Sequence, residues 1–172
     1  MNQNRIILAD EAMRSGGVFT ATHIGVDGEI KGVDINHNLV TNEGLQELAD
    51  RSFSTATQTS WYIALYTGAH TPLATDIGST FASVASEYTA YNESTRQLFN
   101  SSSSNGLVAN TANKAIFTFA ENVTIRGIGV LSVSTKGASF GKLLSLNLLT
   151  VPKTFSSGEQ LTIEYQFIFQ AS

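Results

Sequence analysis

A chain of 172 residues with no cysteine, a net charge of −4 and only 14% charged residues excludes several classes at once. It can form no disulfide and no thiolate metal site. With no basic run it also lacks the Lys/Arg density that drives phosphate binding, so no nucleic-acid partner is expected.

The chain opens with Ile6, Ile7, Leu8 and Met13 at mixed spacing, followed by Ser15-Gly16-Gly17. Residues 1–16 read as an N-terminal arm hinged at the glycines, ahead of one β domain over 17–172. The apolar run at Ile6–Leu8 is too short for a secretion signal or a membrane span. The chain is therefore expected in the cytoplasm, or in something assembled there, with no membrane partner. Asp27-Gly28 lies between two apolar segments and predicts a hairpin. Thr41 or Asn42 can cap a helix over about 42–51, whose stripe is Leu45, Leu48 and Ala49. Gly44 weakens that helix by about 1 kcal/mol relative to alanine.

Period-2 alternation follows. Trp61, Ile63 and Leu65 share one face of a strand, and Tyr62, Ala64 and Tyr66 share the other. A short helical turn near 77–85 is an open alternative. Ser101–Gly106 reads as a surface loop or tip. Ala115, Phe117 and Phe119 alternate with Lys114 and Thr118. Val123 and Ile125 are then out of phase with Ile128 and Val130, and a β-bulge at Gly127 or Gly129 accounts for the slip. Lys136-Gly137 closes a second hairpin. Leu144, Leu146 and Leu148 alternate with Ser145 and Asn147. Pro152 and Ser156-Ser157-Gly158 interrupt the chain. The last strand carries Leu161, Ile163, Tyr165, Phe167 and Phe169 on its apolar face. Many short strands separated by turns predict an all-β fold, mainly an antiparallel sandwich or jelly-roll-like barrel, with one short α-helix.

Motifs with chemical content dissolve on inspection. Gly137-Ala-Ser139-Phe-Gly141 matches a nucleophile elbow, but a strand pattern rather than a helix follows it and no histidine lies downstream. Asp34-Ile-Asn36-His-Asn38 resembles the start of a calcium loop, yet Leu39 and Leu45 occupy the glycine and glutamate places. An Asn-rich turn before the helix cap explains the same residues. His23, His37 and His70 form no metal-binding spacing. No catalytic residue, cofactor or metal is expected.

Several local patterns together carry a resemblance. They are His37-Asn-Leu-Val-Thr-Asn42, Trp61-Tyr62, and Thr89-Ala-Tyr91 continuing to Thr95-Arg96, set among Gly17-Val-Phe19, Lys114–Thr118 and Ser157–Tyr165. From about residue 17 to 170, this series resembles a family of small virion structural proteins of tailed bacteriophages. The resemblance implies a non-enzymatic virion component, assembled in the host bacterial cytoplasm. It most readily suggests a capsid decoration (cement) protein on the outer shell. A tail, neck or baseplate component and a host-facing carbohydrate-binding module are the alternatives, the last relying on exposed Tyr62, Tyr66, Tyr88 or Tyr91. The expected partners are the major capsid protein or other virion proteins, together with further copies of the chain. By analogy with other capsid sandwiches, a trimer is expected. Candidate interface residues are Ile6, Ile7, Leu8 and Met13 of the arm, with Tyr91 and Arg96. For Arg96 a structural ion pair, with Glu93 or Glu87 as the partner, is the favoured role over an interface anchor.

Overall fold

The computed structural model describes residues 14–53 and 60–170. The candidate interface residues Ile6, Ile7, Leu8 and Met13 lie outside them. Twelve strands and two helices are present among the described residues. In chain order they are β1 (Arg14–Ile24), β2 (Ile30–His37), β3 (Leu39–Val40), α1 (Asn42–Phe53), β4 (Tyr62–Tyr66), α2 (Gly78–Val84), β5 (Glu87–Tyr88), β6 (Gln97–Leu98), β7 (Ser102–Ser104), β8 (Leu107–Ala109), β9 (Ala115–Thr118), β10 (Val123–Leu131), β11 (Leu143–Phe155) and β12 (Gln160–Gln170). One sheet runs β2-β1-β12-β8-β7, with β9 also on β12. The other runs β3-β11-β10-β4-β5, with β6 also on β4. The fold is an all-β antiparallel sandwich with short helices.

The sheets meet over an aromatic core. Phe19 stacks on Tyr165 at 4.4 Å between ring centroids, and Phe119 stacks on Phe155 at 4.2 Å. Leu161, Ile163, Tyr165 and Phe167 of β12 all point into this core, as their alternation predicts. Burying each such side chain contributes about 1.5–3 kcal/mol. The phase slip in β10 is also real. Ile125, Ile128 and Val130 face the same core, and the pairing with β11 shifts between Ile125 and Gly127.

A second apolar cluster lies on the opposite face of the β10–β11–β4 sheet, under α2. It joins Ala64, Tyr66, Phe81, Leu131, Leu143 and Leu146. This corrects the one-sided reading of β4, whose Ile63, Ala64, Leu65 and Tyr66 are all fully buried. It also corrects β11. A register shift opposite Val130 and Leu131 sends Leu144 into the main core, while Leu146 and Leu148 pack in the α2 cluster. Ser145 then bonds the Tyr165 hydroxyl at 3.2 Å within the sandwich.

Two further expectations change. The Ser15-Gly16-Gly17 segment lies inside β1, in register with Phe169, Ile168 and Phe167. Gly17 is needed for close approach, because a Cβ there would sit 2.7 Å from the Tyr165 ring. Pro152 does not interrupt the chain but lies within β11, in the stretch where that strand leaves its register with β10. A missing N–H is tolerated at such an irregularity. The surface tip expected at Ser101–Gly106 is present, as a tight and exposed hairpin between β7 and β8 with Asn105 and Gly106 at positive φ.

Helix α1 begins where expected, with the Thr41 hydroxyl accepting the Gly44 N–H at 2.9 Å. Its packing face differs in part: Leu48 of the expected stripe packs against the main core, but Leu45 does not. Gly44 is the buried residue of the helix, set against the backbone of Leu144, whereas Leu45 is 43% and Phe53 is 88% exposed.

Candidate assembly surfaces

Strand β2 is inside out. Its inward positions carry Asp34 and Asn36, and its outward positions carry Val33 and Ile35, which are 51% and 66% exposed. The cause lies in β11. Where that strand leaves its register with β10, backbone groups of residues 148–150 need other partners. Asp34 accepts the Thr150 N–H at 3.0 Å and the Thr150 hydroxyl at 3.2 Å. The Asn36 amide donates to the Leu148 carbonyl at 2.8 Å. These bonds close the seam between the two sheets. They replace the calcium-loop and Asn-rich-turn readings of Asp34–Asn38, because residues 34–37 are strand.

The inversion places apolar side chains on the outer face of the first sheet. Val33 is opposite Thr22, Thr22 is opposite Thr162, and Thr162 is opposite Ile116, so one β-branched row crosses four strands. Directly opposite residues in antiparallel strands share a face. Ile30, opposite Ile24, extends this surface toward the hairpin, and Ile35 is opposite Thr20.

Arg96 and Tyr91 lie inside the chain and offer no surface. The Arg96 guanidinium makes a bidentate contact with Glu87 at 2.8 and 2.7 Å and donates to the Val133 carbonyl at 3.1 Å. Both side chains are essentially without solvent exposure. This is the ion pair set against the interface role, with Glu87 as the partner. Glu93 instead accepts the Thr118 N–H. Lys136 lies 3.7 Å over the Tyr91 ring and donates to the carbonyls of Thr89 and Tyr91. Desolvation lowers the Lys136 pKa, against the opposing pull of Glu93 and Glu87. Burial raises the phenol pKa of Tyr66, Tyr91 and Tyr165. Tyr66, Tyr88 and Tyr91 are buried, so of the tyrosines named for sugar stacking only Tyr62 keeps partial exposure.

The remaining polar constellations tie loops to strands. Glu159 is buried and contacts Lys31, His23 and the Ser156 N–H. The Lys31 bond, followed by that of Ser156, holds its carboxyl down at about 2. His70 pairs with Asp76 at 2.7 Å beside a shallow cleft lined by Ile77, Phe81 and Val84. Ser139 is exposed in the β10–β11 connection, and the next element is strand β11. Among the described residues there is no cluster of three or more metal-ligating side chains, and no helix is long and apolar enough to cross a membrane.

No family model, no curated protein and no solved structure matches this chain.

The sequence pattern concealed the outward face of β2. Its one signal was the position of Asp34 and Asn36 between Val33, Ile35 and His37, which also fits a strand whose polar residues point inward.

Proposed function

We propose that this chain is a non-enzymatic structural protein of a bacteriophage virion: a capsid decoration (cement) protein that packs on the outer shell. The observation that carries this reading is the inverted strand β2. A rigid sandwich spends its inward polar groups on closing its own seam and presents Ile30, Val33 and Ile35 to the outside. Exposed apolar surface on a well-packed domain marks a protein contact. The weakly charged composition supports the same role, since desolvating few charges makes dense packing between subunits less costly. The resemblance of the His37–Asn42, Trp61-Tyr62 and Thr89–Arg96 segments to small virion proteins supplies the setting.

Co-sedimentation tests the reading. Purified chain added to phage shells that lack it is expected to pellet with them and to saturate at a fixed ratio to the major capsid protein. Chain that stays in the supernatant contradicts decoration. Chain that binds only intact tailed particles supports a tail, neck or baseplate position instead.

A further inference from the structure

We infer that Asn105-Gly106, at the tip of the β7–β8 hairpin, is a self-modification site at which the chain deamidates without an enzyme. The Gly106 backbone nitrogen, its proton lost to solvent base, attacks the side-chain carbonyl carbon of Asn105. The amide nitrogen leaves as ammonia, and a succinimide ring remains. Water then opens the ring at either of its carbonyls, which leaves aspartate or isoaspartate at position 105. The sum is amide plus water to acid plus ammonia, with no oxidant, reductant or cofactor.

The structure singles out this pair among the asparagines. It is the only Asn-Gly step in the sequence, and both residues are exposed. A following glycine leaves the attacking nitrogen unshielded and lets the backbone turn into ring-closing geometry. Among the described residues, neither the Asn105 side-chain amide nor the Gly106 N–H has a hydrogen-bond partner. Other asparagines are held. The Asn36 amide donates to the Leu148 carbonyl at 2.8 Å. Asn110 donates to the Ile163 carbonyl at 3.2 Å and accepts the Tyr165 N–H at 2.7 Å. Asn100 is exposed, but Ser101 follows it and carries a side chain. The comparable tip at Asp27-Gly28 offers a carboxylate instead of an amide, and that carboxylate accepts the Glu29 N–H at 3.1 Å.

The two products act differently on the fold. Each adds a negative charge to the net −4 of the chain. Aspartate keeps the turn. Isoaspartate lengthens the main chain by about 1.5 Å, one C–C bond, inside a two-residue turn that sets the pairing of β7 with β8. Gly106 has no room for that change. Its carbonyl accepts the Phe169 N–H at 2.8 Å, and an added Cβ would already sit 2.4 Å from the Phe169 carbonyl oxygen. Isoaspartate therefore releases the tip from the end of β12 and loosens the β7 edge of the first sheet. The hairpin acts as an irreversible clock that ages each copy at one defined place. This goes beyond the virion reading and does not rest on it.

Timed incubation of the full chain at physiological temperature and pH, followed by peptide mapping with isoaspartyl methyltransferase labelling, tests the site. Asn105 is expected to convert before any other asparagine, with isoaspartate exceeding aspartate. Isoelectric focusing should show a new band shifted by a single negative charge. Amide hydrogen exchange at Phe169 should quicken in the isoaspartate fraction. Asn105→Gly suits the positive φ and offers no amide to attack. It is expected to keep the fold and abolish the charge shift. Three outcomes each overturn the inference: Asn105 that stays intact while a free peptide of residues 101–110 converts, another asparagine that converts first, or isoaspartate that leaves exchange at Phe169 unchanged.

Discussion

The Asp34 carboxylate accepts both the backbone N–H and the hydroxyl of Thr150, at 3.0 and 3.2 Å, across the seam between the two sheets. Because these bonds require Asp34 to face inward, the pleat turns its neighbours Val33 and Ile35 outward. A satisfied backbone on one strand is thus the physical reason for an exposed apolar face on another.

Asp34→Ala should leave the Thr150 N–H in the seam without its partner. The expected loss is about 1–3 kcal/mol of stability, the cost of an unsatisfied buried donor. Denaturant unfolding checks this. Asp34→Asn, which keeps one acceptor oxygen, should lose less than the alanine variant. Equal losses would show that the carboxylate position carries no hydrogen-bonding role.

The buried Arg96–Glu87 pair gives a sharper asymmetry. Glu87→Gln alone or Arg96→Met alone strands a buried polar or charged partner and should cost about 3–5 kcal/mol. The double replacement should cost much less than the sum of the two. Chemical denaturation of the four proteins in a double-mutant cycle measures the coupling. Additive losses would mean that the two side chains do not depend on each other.

Glu159 links stability to acidity. Its folded carboxyl titrates at about 2, below the ordinary value of 4.5, chiefly through its bond from Lys31. A depressed carboxyl pKa contributes stability that is fully present above the unfolded value and is lost as pH falls through the folded one. The window therefore runs from about 4.5 down to about 2. Melting temperature should fall across it in the wild type. In Glu159→Gln that component should be absent, with a lower plateau at neutral pH.

Gly44→Ala tests whether the helix or its packing governs that position. Helix propensity alone favours alanine by about 1 kcal/mol. A Cβ there collides with the backbone of Leu144, so the expected net effect is destabilisation by roughly 1–3 kcal/mol, as for other overpacked sites. A more stable variant would show that α1 can move off β11 at little cost.

Much of the fold is written locally. The alternation from Leu161 to Phe167, the Asp27-Gly28 turn, the Thr41 cap and the slip between Ile125 and Ile128 each depend on residues near one another in the chain. What was hidden depends on distant partners. Asp34 meets Thr150 across 116 positions, so its polar side chain looked like part of a loop or metal site. Leu45 and Ala49 looked like a buried stripe, but the narrow gap over Leu144 admits only the glycine beside them. Both faces of β4 are buried because α2, a short helix without a side-chain cap bond, covers one of them. The role of Arg96 was half legible. A lone arginine after a polar turn suggests a partner, and only the fold brings Glu87 within 2.7 Å.

We propose that this chain is a repeated component of a virion shell. Quantitative mass spectrometry of purified virions, using isotope-labelled peptides of this chain and of the major capsid protein, tests it most directly. A copy number of the same order as that of the major capsid protein is expected. A handful of copies per particle would contradict decoration and place the chain at a tail or neck ring, and its absence from purified particles would contradict a virion role altogether.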